Sequence, residues 1–318
     1  MNSTNSLRDS LKGRDLLSLH DFSPREIEFM LDFAAELKQK QKRGEPHELL
    51  KGMTLAMIFQ KSSTRTRVSF EVGMFQLGGH ALYLNAGDLQ LGRGETIADT
   101  GRVLGRYVDG IMIRTFAQSD VEELAEHAPV PVINGLTDLL HPCQILADLL
   151  TVREHKGRLA GLKLAYVGDG NNVCHSLLFG CAKTGVHISV ASPEGYQPRE
   201  EIVATARDDA GETGATVTIT TDPAEAVSGA DVVVTDVWAS MGQENEQQAR
   251  LKVFAPYQVN GRLVAGAKPD YIFLHCLPAH RGEEVAAEII DGPHSVVFDE
   301  AENRLHAQKA VMALLMAK

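Results

Sequence analysis

The sequence predicts an α/β protein made of two doubly wound parallel-sheet domains joined by interdomain helices. Three observations point there. Short apolar runs alternate with amphipathic stretches, the pattern of β-α-β units that form parallel sheets covered by helices on both faces. The strand series starts twice, at MTLAMIF (53–59) and again at KLAYVGD (163–169), with a helix between. Polar clusters come directly after the apolar runs, at the carboxyl ends of strands where open α/β sheets bind ligands.

Taken in order, MTLAMIF reads as a buried strand, and RTRVSFEVGMFQLGG (65–79) as a helix closed by Gly78 and Gly79. ALYLN (81–85), DGIMIRT (109–115) and VPVIN (130–134) continue the strands. TIADTGRVLGRY (96–107) and SDVEELAEH (119–127) read as helices between them. In the second, Ser119 with Glu122 three residues on predicts a capping box. A helix then starts after His141, with Pro142 at its first position, and runs through QILADLLTVREH. Beyond it come KLAYVGD, HISVAS (187–192), TVTITT (216–221), DVVVTDV (231–237) and YIFLHC (271–276). DPAEAVSGA (222–230) is a helical stretch among them, with Asp222 and Glu225 as a cap pairing. The last helix, EAENRLHAQKAVMALLMAK (300–318), is too long for a frayed tail and must dock. The expected domains are 1–148 with the final helix 300–318, and 149–299.

The whole chain narrows the function classes. Its 318 residues, 44% hydrophobic and 23% charged, suit two domains of about 150 residues. No apolar run approaches the roughly 20 residues of a membrane helix, and MNSTNSLRDSLKGRD lacks the apolar core of a secretory signal. A cytoplasmic enzyme is expected. A net charge of -11 without a basic run argues against nucleic acid. An anionic substrate then needs a local arginine cluster. Cys143, Cys174, Cys181 and Cys276 show no CxxC spacing, which argues for a reduced compartment and against a disulfide or zinc framework.

Five clusters carry chemistry. Ser63-Thr64-Arg65-Thr66-Arg67 lies between a strand and a helix start, whose free N–H groups and partial positive charge suit a phosphate. Arginine adds a planar fork for oxyanions. The plain alternative is a capped helix with two surface arginines. No GxxxxGK[ST] is present, so this is not a Walker loop. HPCQ (141–144) opens a helix, where histidine and proline could be mere starters. In Gly168-Asp169-Gly170-Asn171-Asn172, Val173 replaces the third glycine of a dinucleotide fingerprint, so a tight turn explains both glycines better than NAD does. Asp236 ends a very apolar strand ahead of Ser240, Met241 and Gly242, where it could simply cap the next segment. His275-Cys276-Leu277-Pro278 ends another strand. His275, Cys276 and His280 fit no standard zinc spacing, and no metal is expected.

FQKSSTRTR, HPCQ, DVWASMG (236–242) and HCLPAHRGEE (275–284), in that order and spacing, resemble the ornithine carbamoyltransferases. The similarity runs from about Leu16 to the end of the chain. STRTR and HPxQ are common to the wider transcarbamylase family, whereas DxxxSMG and HCLP narrow it to the ornithine branch.

The resemblance implies a reaction between carbamoyl phosphate and the side-chain amine of L-ornithine, giving citrulline. It assigns Ser63, Thr64, Arg65, Thr66 and Arg114 to the phosphate. His141, Arg114 and Thr66 fall to the carbamoyl oxygen, and Gln144 to the amide. Backbone oxygens of Cys276 and Leu277 accept from the carbamoyl NH2, and Arg304 reaches the carbamoyl group. Asn172, Asp236, Ser240 and Met241 are assigned to ornithine, with the Cys276 side chain near Asp236 and the attacking amine. Gln90 is assigned to a neighbouring subunit's phosphate site, which implies a homotrimer with shared sites. Of these, Arg65, Arg114, His141, Asp236 and Cys276 would carry the chemistry. No cofactor is implied, since carbamoyl phosphate is already activated, and a cleft is expected to close and exclude water. Arginine biosynthesis is favoured over arginine catabolism. The alternatives are a sister enzyme acting on putrescine or a modified ornithine, a nucleotide-dependent dehydrogenase, and a catalytically dead regulatory protein.

Overall fold

A computed structural model describes residues 2–91, 94–239 and 247–317. By its contacts the chain divides into two compact units, Met1–Ala147 with Glu302–Lys318, and Asp148–Ala301.

The first unit contains β1 (Thr54–Phe59), β2 (His80–Asn85), β3 (Gly110–Arg114) and β4 (Val132–Leu136), in the order β2-β1-β3-β4. All its ladders are parallel. The continuous apolar runs of β1 and β3 are buried on both faces, as strands inside a covered parallel sheet must be. Ile58, Ile111, Ile113 and Leu124 form part of the core on one side. β2 is an edge strand and is largely exposed. Strand order reverses between β1 and β3, where Phe59 pairs with Arg114 in register. The ladder to β4 shifts between Ile113 and Arg114, so Arg114 lies at an irregularity on the sheet's carboxyl rim.

The second unit holds β5 (Lys163–Val167), β6 (His187–Ala191), β7 (Val217–Thr220), β8 (Val232–Thr235) and β9 (Ile272–His275). Their order is β7-β6-β5-β8-β9, again all parallel, with the reversal between β5 and β8. Val233, Phe273, Trp238 and Phe254 belong to one core cluster. Full burial of a side chain such as Phe254 contributes about 1.5–3 kcal/mol. Both units are therefore doubly wound, as expected.

Helix ends show where local sequence rules were overridden. Ser63 caps Thr64–Gln76, its side chain accepting from the Thr66 N–H. Pro142 is the first residue of Pro142–Lys156. The box expected at Ser119 does not form: the helix is Gln118–His127, and Ala117 at its cap provides no side-chain bond. Gln118 instead accepts from the Asn134 amide and the Thr137 hydroxyl. At Pro223–Val227 only half the pairing forms. Asp222 accepts from the Ala224 N–H, while Glu225 is taken by the Thr220 hydroxyl.

The last helix, Val297–Leu315, answers the question of docking. Past Glu302 it belongs to the first unit, with Val311, Met312, Leu314 and Leu315 fully buried. Polar bonds from buried lysines fix its rotation: Lys38 Nζ donates to Asn303 at 2.7 Å, and Lys309 Nζ to Gln76 at 2.8 Å. Burial brings the Lys309 ammonium down to about 8. Among the described residues, no helix is long and apolar enough to cross a membrane.

Candidate active site

In the first unit, the β1/β3 reversal gathers the residues that the sequence scattered. The helix Thr64–Gln76 opens just beyond β1, and Arg114 ends β3. Thr66, Arg114, His141, Gln144 and Arg304 are all buried. Arg304 donates from Nη1 to Gln144 Oε1 at 2.6 Å and from Nη2 to Thr66 Oγ1 at 3.1 Å. One guanidinium thus bridges the STRTR helix and the HPCQ helix, and the final helix delivers it. The His141 imidazole is held well below its ordinary range, first by burial, then by the charges of Arg304, Arg114 and Arg65. It is a neutral ring in a cationic surround, able to donate one hydrogen bond without adding charge. Arg65 and Thr64 are exposed and Ser63 is half-buried. Arg67, by contrast, pairs with Glu71 at 3.0 Å and lies 3.7 Å over the Tyr83 ring, so the surface-arginine alternative holds for it. Gln90 is exposed and takes no part in these bonds.

In the second unit, the β5/β8 reversal and the end of β9 bring together Asn171, Asp236 and Cys276. Asp236 is buried. Its Oδ2 accepts from Asn171 Nδ2 at 2.7 Å, and its Oδ1 accepts from the Val237 N–H at 2.8 Å and the Cys276 thiol at 3.2 Å. Burial pushes the Cys276 thiol up, and the neighbouring Asp236 carboxylate adds to it, which fits the thiol's place as donor. Asn172 is the first residue of the helix Asn172–Thr184 and is half-buried. Ser240 and Met241 lie outside the described residues.

The backbone at Leu277 is unusual for a side-chain-bearing residue, with φ of 57°. Its N–H donates to His275 Nδ1 at 2.9 Å, so the other nitrogen, 3.2 Å from Glu284 Oε1, carries the ring proton. Burial would raise the Glu284 carboxyl, but hydrogen bonds from His275 and the His280 N–H outweigh it and hold it low. Asp236, His275 and Cys276 present atoms within 4.8 Å of one another, as do His280, Glu283 and Glu284. His275 spends both ring nitrogens on Leu277 and Glu284, and Cys276 is a thiol donating to Asp236. The first set is therefore a hydrogen-bonded cluster whose donors are already engaged. The second shares Glu284, whose Oε1 is already engaged with His275 and the His280 N–H.

Several residues here had escaped sequence reasoning. Asn171 does double duty as helix cap and Asp236 partner, its oxygen accepting from the Val173 and Cys174 N–H groups. Its only sequence signal was an asparagine ahead of a helix. Asp169 and Glu284 lay inside quoted motifs but were given no role there, and Arg250 gave no signal at all. The two glycines of GDGNN have separate reasons: Gly168 takes φ of 152°, and a Cβ on Gly170 would lie 2.2 Å from Pro198 N.

Comparison with known proteins agrees with both halves. The defining pattern of the aspartate/ornithine carbamoyltransferase carbamoyl-P binding domain matches residues 14–154, and that of the Asp/Orn binding domain matches 160–315. An ornithine carbamoyltransferase of Carboxydothermus hydrogenoformans is 66% identical over 307 residues, covering 96% of this chain and 99% of its own length. An anabolic ornithine carbamoyltransferase of Pyrococcus furiosus is 62% identical over 307 residues, covering 96% of this chain and 98% of its own. The solved ornithine carbamoyltransferase from Pyrococcus furiosus superposes with a TM-score of 0.94 at 62% identity, over 96% of this chain and 98% of that one. Fold, clusters and full-length similarity together make this chain a member of the aspartate/ornithine carbamoyltransferase family.

Proposed function

We propose that this protein transfers the carbamoyl group of carbamoyl phosphate to the side-chain amine of L-ornithine, releasing citrulline and phosphate. The observation that carries the donor half is the buried cluster of Thr66, Arg114, His141, Gln144 and Arg304 beside Arg65 at a helix start. In an acidic chain, it is a local concentration of positive charge fitted to a phosphorylated donor. The acceptor half distinguishes ornithine from aspartate. Asp236 offers a buried carboxylate, which suits a cationic amino acid and would repel an aspartate side chain.

The residue roles come from the chemistry. The neutral amine nitrogen attacks the carbamoyl carbon, and charge grows on the carbamoyl oxygen. We assign that oxygen to His141, Arg114 and Thr66, and the amide to Gln144, held by Arg304. The carbon–oxygen bond to phosphate then breaks, the leaving phosphate takes up the proton that the amine gives up, and the resulting hydrogen phosphate dianion is assigned to Ser63, Thr64, Arg65, Thr66 and Arg114. Donors fixed before the reaction stabilise this charge without reorganising. The backbone oxygens of Cys276 and Leu277 are assigned to the carbamoyl NH2. Asn172, Ser240 and Met241 are assigned to ornithine's amino-acid end, and Asp236 with Cys276 to the amine that loses a proton. The label of the Pyrococcus furiosus relative favours the biosynthetic direction, and the free cysteines suit a cytoplasmic setting. The deciding assay is citrulline formation from both substrates. Turnover with putrescine but not ornithine would reassign the acceptor.

A homotrimer with shared sites completes the proposal. Val68, Val72 and Phe75, spaced along one face of the STRTR helix, are exposed, Phe75 to 80%, and Leu82 and Tyr83 on edge strand β2 are exposed as well. An exposed apolar helix face and an open, partly apolar sheet edge both call for a cover. A closed heterologous ring would bring the loop around Gln90 to the next chain's STRTR helix. Arg65→Ala and Gln90→Ala, each impaired alone, should complement when mixed and reassembled. About a quarter of sites in random trimers would carry both native residues. Verified chain exchange without recovered activity would return Gln90 to local loop structure.

A further inference from the structure

We propose that Arg250, paired with Asp169, is a positioning residue that sets affinity for the amino-acid substrate by holding the backbone next to Asp236. The inference rests on the transferase reading above and names a residue that neither motif nor resemblance assigned.

The geometry is compact. Arg250 Nη1 donates to Asp169 Oδ2 at 2.7 Å and to the Trp238 carbonyl at 2.9 Å, and both charged side chains are buried. Trp238 stands two residues beyond Asp236, so this bond fixes the strand exit that carries the Asp236 carboxylate. The same carboxylate is held from the other side. Tyr166 donates to the Asp169 carbonyl at 2.8 Å, and its hydroxyl lies 3.3 Å from Asn171 Oδ1. Asn171 in turn donates to Asp236 at 2.7 Å. Asp169 is thus the meeting point of two paths to Asp236, one through Arg250 and Trp238, the other through Asn171.

Aromatic packing keeps the guanidinium in place. Its carbon lies 5.0 Å from the Tyr196 ring centroid, and Tyr196 meets Phe254 edge-on at 4.9 Å. Phe254 stacks with Trp238 at 5.9 Å, so the residue whose carbonyl Arg250 grips packs its ring in the same cluster. A planar guanidinium can donate to two acceptors while lying on an aromatic face, whereas a lysine ammonium on a flexible stem is a poorer match. A buried ion pair is seldom a net gain over an apolar filling, and its best-attested use is to specify one arrangement. Here the arrangement specified is the setting of Asp236. The pair also cancels the Asp169 charge, leaving Asp236 to meet an incoming cation.

The test is steady-state kinetics of the full-length protein with carbamoyl phosphate and L-ornithine, alongside melting temperatures. Arg250→Gln should raise KM for ornithine about tenfold or more, the scale of one charge-assisted hydrogen bond. KM for carbamoyl phosphate should stay within about twofold. Arg250→Lys should fall between wild type and Arg250→Gln. If Arg250→Gln does not fold, Arg250→Lys and Asp169→Asn carry the same comparison. KM does not depend on how much protein is folded, so a purely structural role predicts lower melting temperature and yield with both KM values unchanged. That result, or equal rises in both, overturns the proposal. Wild-type protein that forms no citrulline would instead sink the reading on which it rests.

Discussion

Replacing Arg65 by alanine should lower kcat by at least about a hundredfold, the scale of losing one preorganised oxyanion donor. The reason lies in when its charge is needed. Carbamoyl phosphate arrives already anionic, but negative charge moves onto the bridging oxygen only as the carbon–oxygen bond breaks. A cation at the first turn of the STRTR helix acts most strongly at that moment, where the helix's own partial charge adds to it. Arg65 is exposed, so its removal should cost little stability. Steady-state kinetics with circular dichroism separates the outcomes. A raised KM for carbamoyl phosphate at unchanged kcat would make Arg65 a plain anchor.

Asp236→Asn should reduce kcat/KM for ornithine by roughly thirty- to several-thousandfold, from about 2–5 kcal/mol for truncating one side of a buried charge pair. The side chain keeps its shape but not its bonding. Both carboxylate oxygens accept, one from Val237 and Cys276 and the other from Asn171. An amide must turn an NH2 toward one of those donors, so at least one bond is lost along with the charge. The wild-type rate should rise from neutral into alkaline pH, because the attacking amine must be neutral while free alkyl amines titrate near 10. A flat profile under conditions where chemistry limits turnover would argue against amine deprotonation as part of the rate. An Asn variant as active as wild type would remove Asp236 from the reacting centre.

The sheets were legible because burial on both faces writes itself locally. MTLAMIF and DVVVTDV can hardly be anything but covered strands, and each polar cluster had to sit at a strand end. The caps were less legible. Ser119 and Glu122 match a pattern that governs isolated helices, yet Gln118 is drawn to Asn134 and Thr137, and the helix begins elsewhere. The site's internal bonds were not legible at all. Arg304 meets Gln144 from 160 residues away, and Arg250 meets Asp169 from 81. No local period records such pairs; they exist only once the sheets have formed. Family resemblance pointed to Arg304, but its partners Gln144 and Thr66 follow only from the fold. Arg250 had no pointer of either kind.

The final helix has a consequence for how the protein is made. Residues from Glu302 onward complete the first unit, supplying Arg304 to its polar cluster and Val311, Met312 and Leu314 to its interior. Yet they emerge from the ribosome only after the whole of the second unit has been translated. At about 5–20 residues per second, the earliest-made sheet waits roughly 8 to 30 seconds for its last wall. The nascent first unit must therefore stay with an uncovered apolar flank while the later-made unit, contiguous in sequence, can already close. A stalled or shortened product would carry a finished amino-acid half beside an unfinished donor half, and would offer that flank to chaperones and proteases.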